Sequence, residues 1–108
     1  MDPRVSLCQR LTLALTDTRG EVNWREPVIA FRRPEYATIT VAYEGAGRSG
    51  EGTCSFAYDI SEETAMDHAN PLLAYATLPY AMTLNGTPVP RDVLTRAVDE
   101  QQLRSLRR

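Results

Sequence analysis

The stretch 36-YATITVAY-43 decides the fold of this chain, together with the stretch 53-TCSFAYDI-60 that follows it. Both stretches alternate with a period of two, which is typical of a strand with one buried face. β-branched and aromatic residues fill them, and these residues suit a pleated, half-buried surface. The predicted inward faces are Ala37, Ile39, Val41 and Tyr43 on the first strand, and Cys54, Phe56, Tyr58 and Ile60 on the second. The pair predicts an antiparallel hairpin.

The connection between these strands, residues 45–52, holds four glycines and spells Gly-x-Gly-x-x-Gly over 45–50. A dinucleotide-binding loop needs a helix after this pattern, because the helix N-terminus holds the pyrophosphate. Here a strand follows, and the chain has no lysine for a kinase-type glycine loop. The pattern therefore predicts a long, flexible hairpin tip, with Arg48 and Ser49 exposed and able to enter the cleft of a partner.

Upstream of the hairpin, the pattern predicts further strands. The residues Val5, Leu7, Leu11, Leu13 and Leu15 occupy odd positions and predict a first strand, interrupted near Gln9. A turn is expected over 17–20. Val22 and Trp24 alternate with polar residues, and 28–31 is a short β-rich run. Pro27 and Pro34 flank this run and favour an edge or a bent strand.

Downstream, Ser61 is a suitable N-cap for a helix with Glu62 and Glu63 in its first turn. A second short helix is expected to begin at Pro71, although a strand over 72–78 is an open alternative. Asn85-Gly86 predicts a tight hairpin, and a C-terminal helix should follow Arg91. The residues expected on one face of that helix are Val93, Leu94, Ala97, Val98 and Gln101, with Leu103 and Leu106 outside it. The predicted fold is α+β, an antiparallel sheet of about four to six strands with one or two helices on one face.

Length and composition narrow the possible chemistry. The chain has 108 residues, a size that fits a single domain, 1–108. Its twelve basic residues are all arginine, so a Schiff-base or phosphate-loop lysine is excluded. We predict reduced, buried thiols for Cys8 and Cys54 and a cytoplasmic location, since the start Met-Asp-Pro-Arg lacks the apolar core of an export signal. We predict no membrane segment, metal site or cofactor.

Charge is unevenly distributed. Residues 44–67 carry six carboxylates against Arg48 alone, whereas the region from Arg91 onward carries five arginines. An acidic middle segment favours a basic protein surface or protein complex as the partner and argues against direct nucleic-acid binding. The predicted partner-binding residues are Glu44, Arg48, Ser49, Glu51, Glu62, Glu63 and Asp67. The alternative is that this segment is only a solvated surface.

Three hypotheses of function follow. The first is a non-enzymatic protein-binding domain, in its narrowest form a small phage or mobile-element inhibitor of a bacterial nucleic-acid-handling complex. The second is a structural or accessory subunit that forms a homodimer through an exposed strand or through the face of Leu103 and Leu106. The third is a small enzyme that uses His68, the single histidine, with nearby carboxylates. Among the aromatic residues, we expect Tyr43 and Tyr58 in the core and Tyr36 at the surface.

Overall fold

A single antiparallel sheet with helices on one side organises the chain. The computed structural model describes residues 2–32, 35–45, 47–58 and 71–106, and these contain six strands and two α-helices. The elements are α1 (Pro3–Leu15), β1 (Val22–Trp24), β2 (Val28–Arg32), β3 (Tyr36–Gly45), β4 (Arg48–Ala57), a 3₁₀ helix (Pro71–Ala74), β5 (Ala81–Leu84), β6 (Thr87–Pro88) and α2 (Arg91–Leu106). The strand order is β1-β3-β4-β5-β6, with β2 also paired to β3. The predicted α+β class is confirmed.

The central hairpin is β3 paired with β4, as the alternation predicted. The inward residues Ala37, Ile39 and Val41 are fully buried, and so are Cys54 and Phe56 across from them. The prediction of a long tip is wrong, however, because pairing continues without a break to Gly45 opposite Arg48. Only two residues connect the strands. The glycines that suggested a loose loop instead lie within paired strands or, as at Gly47 with φ +73°, in the turn itself.

The first strand predicted from the sequence is also wrong, because residues 3–15 form helix α1. Its buried residues, Arg4, Val5, Leu7, Cys8, Leu11 and Thr12, recur at intervals of three and four, which is the period of a helix face. Asp2 caps this helix by accepting a hydrogen bond from the Arg4 backbone N–H at 2.8 Å, and Pro3 follows at the first helical position. The pair Asp2-Pro3 is typical of a helix N-terminus, but the alternation of the leucines was given more weight.

The edge of the sheet beside β3 consists of two short strands in line. Trp24 pairs with Tyr43 and Val28 pairs with Thr40, so residues 25–27 of the edge oppose only residues 41–42 of β3. One extra residue in a strand is a β-bulge, which bends the strand and shifts its alternation. The bulge contains Pro27, and the edge position predicted from that proline is confirmed.

The remaining elements agree with the sequence in type more often than in detail. The Asn85-Gly86 turn is confirmed, with φ values of +51° and +84°. Residues 72–78 hold the end of the 3₁₀ helix and a bridge from Tyr75 to Tyr58, so they form neither a regular α-helix nor a strand. No described helix is long and apolar enough to cross a membrane.

Helix α2 closes the core with one face. Leu94, Ala97, Val98 and Gln101 are buried as expected, but Val93 is exposed and does not belong to the face. Leu103 lies outside it, as predicted.

Of the tyrosines, Tyr43 is buried as expected, Tyr58 is 41% exposed and so was wrongly placed in the core, and Tyr36 is half-buried.

A disulfide joins Cys8 of α1 to Cys54 of β4, so the predicted reduced thiols are wrong in this structure. The two residues are 46 positions apart in sequence, and both are fully buried. The prediction of reduced thiols was based on the expected cytoplasmic location, and the strand assigned to residues 5–15 gave no reason to bring the two cysteines together. A helix packed across β4 brings the two Cα atoms to 6.0 Å, within the range that a disulfide spans.

Close contact between α1 and β4 depends on Gly52. A Cβ added there would collide with Thr12 Oγ1 and lie 3.0 Å from Met82 Cε. Thr12 is fully buried and its hydroxyl donates to the Cys8 carbonyl at 2.7 Å, so it has little freedom to move. We expect Gly52→Ala to lower the free energy of unfolding by about 1–3 kcal/mol, measured by urea denaturation.

The matched control for this prediction is the double variant Thr12→Ala/Gly52→Ala. Removing the Thr12 hydroxyl clears the space that the new methyl group needs, so the double variant should be more stable than the sum of the two single effects allows. Strict additivity of the two substitutions would contradict the steric explanation.

Candidate interaction surface

The centre of the sheet face opposite the helices is lined with small side chains. Helix α1 packs on the buried face of β3 and β4, and α2 reaches the same side through Leu94 beside Met82. The outward residues at the centre of the other face are Thr38, Thr40, Thr53, Ser55, Ala81 and Thr83, all half-buried. Thr40 and Thr53 join hydroxyls across the strands at 2.9 Å. No described α-helix covers this face, which we call the open face.

Three of the predicted partner-binding residues lie together at one end of the open face. Glu44 is directly opposite Ser49, and Glu51 is opposite Ala42, so the two carboxylates are diagonal neighbours on adjacent strands. All three are exposed. We call Glu44, Ser49 and Glu51 the acidic corner. Their grouping could be predicted only in part, because the assumed long tip left the register between the strands undefined.

The acidic corner has a defined backbone. The Glu51 N–H donates to Asn85 Oδ1 at 2.9 Å, and the Glu51 carbonyl accepts from the Asn85 N–H at 2.8 Å. These two bonds hold the side of β4 to the β5–β6 turn. Arg25 Nη2 lies 3.3 Å from Glu44 Oε1, but both side chains are largely exposed, so this ion pair is screened and weak. The corner therefore presents two carboxylates on a fixed frame.

Arg48 does not belong to the acidic corner. It lies on the opposite face of β4 from Ser49, and its Nη1 donates to the Thr16 carbonyl at 2.9 Å. Thr16 follows the last residue of α1, where helix carbonyls lack partners within the helix. Arg48 is exposed as expected, but it caps the end of α1 and lies on the other face from Ser49. Arg48 and Ser49 are consecutive residues of a strand, so their side chains lie on opposite faces. Recognising the two-residue turn would have predicted this.

Hydroxyl groups also attach the hairpin to the end of α1. Tyr43 Oη lies 2.8 Å from Thr18 Oγ1 and 3.2 Å from Thr16 Oγ1, and the two threonine hydroxyls are 2.8 Å apart. The Tyr43 side chain also lies over Gly50, where a Cβ would come within 2.9 Å of two ring carbons and the hydroxyl oxygen. The tip that carries the acidic corner is therefore fastened to the helix layer through β3 and β4.

The other predicted site residues, Glu62, Glu63 and Asp67, lie outside the described residues, as does His68. Their relation to the acidic corner remains a prediction. Within the described ranges, no group of three or more histidine, cysteine or carboxylate side chains is placed to hold a metal ion.

A cleft of about 440 Å³ lies between the ends of the two helices. Its lining includes Arg10, Arg19 and Arg104 together with Asp17 and Glu100. The Arg19–Asp17 pair is almost fully exposed, with the nitrogen and oxygen 3.7 Å apart. Because both signs of charge are mixed along an open surface, this cleft does not select a cation or an anion.

The outer edge of β2 was not among the predicted site residues. Val28 is 63% exposed, Ile29 38% and Phe31 37%, so three of its five residues are large, apolar and accessible. Ile29 and Phe31 face the helix side, because they pair with the buried Ile39 and Ala37. Phe31 is partly supported by the ring of Tyr75, with centroids 5.6 Å apart. The prolines at 27 and 34 indicated an edge strand. Whether the apolar side chains of that strand are exposed could not be predicted, because it depends on which strands pair.

No family model, no curated protein and no solved structure matches this chain. The fold class and the surface chemistry therefore carry the functional argument.

Proposed function

We propose that this chain is a non-catalytic protein-binding domain that docks on a basic protein surface through the acidic corner and the adjoining open face. The observation that carries the proposal is the position of Glu44, Ser49 and Glu51 together on a sheet face that none of the described helices covers. Two carboxylates held on a fixed frame attract arginine or lysine side chains. Complementary charge of this kind steers association and fixes the orientation of docking.

The open face supplies the rest of the contact. Its central side chains are short, so a partner approaches the backbone closely and meets few groups that must be ordered on binding. Hydroxyls such as those of Thr38 and Ser55 provide hydrogen-bond donors and acceptors across it. In the narrowest form of the proposal, the partner is a bacterial nucleic-acid-handling complex, whose basic groove an acidic surface can occupy in place of nucleic acid.

The test is capture of partners from a lysate of the native host. Immobilised wild-type chain should retain a basic protein at low salt and release it at high salt, because the contact is made by exposed charges. The charge-reversal variant Glu44→Lys/Glu51→Lys should lower the affinity for the isolated partner about tenfold or more. Asp99→Lys/Glu100→Lys is the control matched in charge, since Asp99 and Glu100 are exposed carboxylates on α2. Equal binding by both variants would refute the proposal.

We also propose a cytoplasmic location; the Cys8–Cys54 bond of the structure weighs against it, and the redox state of the two cysteines in the cell provides the test. Disulfides persist in oxidising compartments and are rare in the cytosol. Acid quenching of intact cells, followed by thiol alkylation, should find both cysteines reduced if the chain resides in the cytosol. A fully formed bond would contradict this location.

A further inference from the structure

The outer edge of β2 is a five-residue strand that pairs, among the described strands, with β3 alone. An unpaired edge presents free backbone N–H and C=O groups, and proteins normally protect such edges with charge, proline or a covering element. The opposite edge of the sheet is protected in this way, since β6 has only two residues and one of them is Pro88. β2 follows the Pro27 bulge and ends with Arg32, but three of its five side chains are large, apolar and exposed. The edge therefore has the properties of an interface.

We propose that β2 pairs antiparallel with β2 of a second copy, which joins the two sheets edge to edge in a two-fold symmetric dimer. This interface does not involve the acidic corner, so the proposal goes beyond the protein-binding function and does not rest on it. Residues directly opposite each other in an antiparallel pair lie on the same face. Both open faces would therefore lie on one side of the dimer and display two acidic corners.

The strand pairs best with itself in one register. Side chains of Val28, Ala30 and Arg32 lie on the open face and those of Ile29 and Phe31 on the helix side, so only registers that keep this parity are allowed. Centring the two-fold axis on Ala30 aligns all five residues. Ile29 then lies opposite Phe31 of the second copy, and Val28 lies opposite Arg32. The exposed apolar side chains on the helix side cover each other.

Charge complementarity favours a second copy over an unrelated strand. Glu26 precedes β2 and Arg32 ends it, and both are exposed. Antiparallel pairing brings Glu26 of each copy to the end of the strand that carries Arg32 of the other. In this register Glu26 lies two positions beyond the Val28–Arg32 pair, so the opposite charges are near each other at both ends, whereas a parallel arrangement would place like charges together.

Sedimentation of the full chain across the micromolar range tests the proposal, and we expect the mass of a dimer. Val28→Arg places an arginine opposite Arg32 of the second copy at two symmetric positions, so the dimer dissociation constant should rise about tenfold. Val28→Glu places a carboxylate at the same positions and should retain the dimer. The charge swap Val28→Arg/Arg32→Glu should restore it.

Leu103→Arg is the control, because Leu103 is 54% exposed on α2 and outside the proposed interface. It should leave the dimer unchanged. Circular dichroism and thermal melting establish that each variant is folded. A monomer at every concentration of wild-type chain would overturn the proposal, and so would a Val28→Arg dimer as stable as the wild type. Failure of the charge swap to restore the dimer would overturn the register. None of these three outcomes bears on the partner-binding test with the Glu44 and Glu51 variants.

Discussion

Reduction of the Cys8–Cys54 bond should lower the free energy of unfolding by about 4 kcal/mol. The bond closes a loop with a sequence separation of 46, and opening such a loop returns conformational entropy worth about 4 kcal/mol to the unfolded chain. Stabilities of small domains are about 5–15 kcal/mol, so this is a large share of the total. The measurement is urea denaturation with and without a reductant, compared by the midpoint and the slope of the transition.

The position of the bond makes a second observation possible. Both cysteines have 0% exposure, so a reductant reaches the sulfurs only when the structure opens. We expect slow reduction in buffer and fast reduction in denaturant, followed by mass after alkylation. Cys8→Ala/Cys54→Ala is the matched variant, and it should be at least as unstable as the reduced wild type because it also loses buried volume. Equal midpoints for oxidised and reduced protein would contradict the prediction.

Arg4→Met should destabilise the chain by about 3 kcal/mol or more. Arg4 is only 3% exposed, and its guanidinium donates to three different groups. Nε donates to the Ala76 carbonyl at 3.0 Å, Nη2 to the Tyr75 carbonyl at 2.6 Å, and Nη1 to Asp2 Oδ1 at 3.1 Å. Removing the guanidinium takes this donor from the Tyr75 and Ala76 carbonyls and breaks the ion pair with Asp2, and the loss of one member of a buried ion pair typically costs about 3–5 kcal/mol. Thermal and urea denaturation of the purified variants measure the effect.

Two controls separate this role from a general effect of charge. Arg10→Met changes an exposed arginine on the same helix, and we expect a change within about 0.5 kcal/mol. Arg4→Lys keeps the charge but replaces the planar fork with a single ammonium group, so it should recover only part of the stability. An Arg4→Lys variant as stable as the wild type would show that the three-way geometry of the guanidinium is unimportant.

Helix α1 is the element that these predictions share. The disulfide fastens it to β4, and Arg4 fastens its start to the segment that contains Tyr75 and Ala76. Its other end holds the hairpin tip through Arg48 and Tyr43. Loss of α1 would therefore release the frame beneath the acidic corner as well as the core. Destabilised variants should be compared for partner binding only at temperatures where they remain folded.

The sequence predicted the parts of this fold that depend on local pattern. Alternation over residues 36–43 and 53–57 was sufficient for β3 and β4, because their buried faces are formed by strictly alternate residues. The Asn85-Gly86 turn was predictable because few dipeptides accept two positive φ values. Helix α2 followed from its period and from Asp92 in the first turn. In each case the information lies within a few neighbouring residues.

Other features were decided only when distant segments met. The leucines of residues 5–15 are compatible with either a strand or a helix in their spacing, and packing against β3 and β4 selects the helix. The helix brings Cys8 close to Cys54, and it packs so closely on β4 that a side chain at position 52 would collide with Thr12. The bulge between β1 and β2 sets which side chains of β2 face outward, and the sheet order leaves that edge unpaired among the described strands. The acidic corner likewise exists because register places Glu44 and Glu51 on one face, and register is a property of two strands together, not of either strand alone.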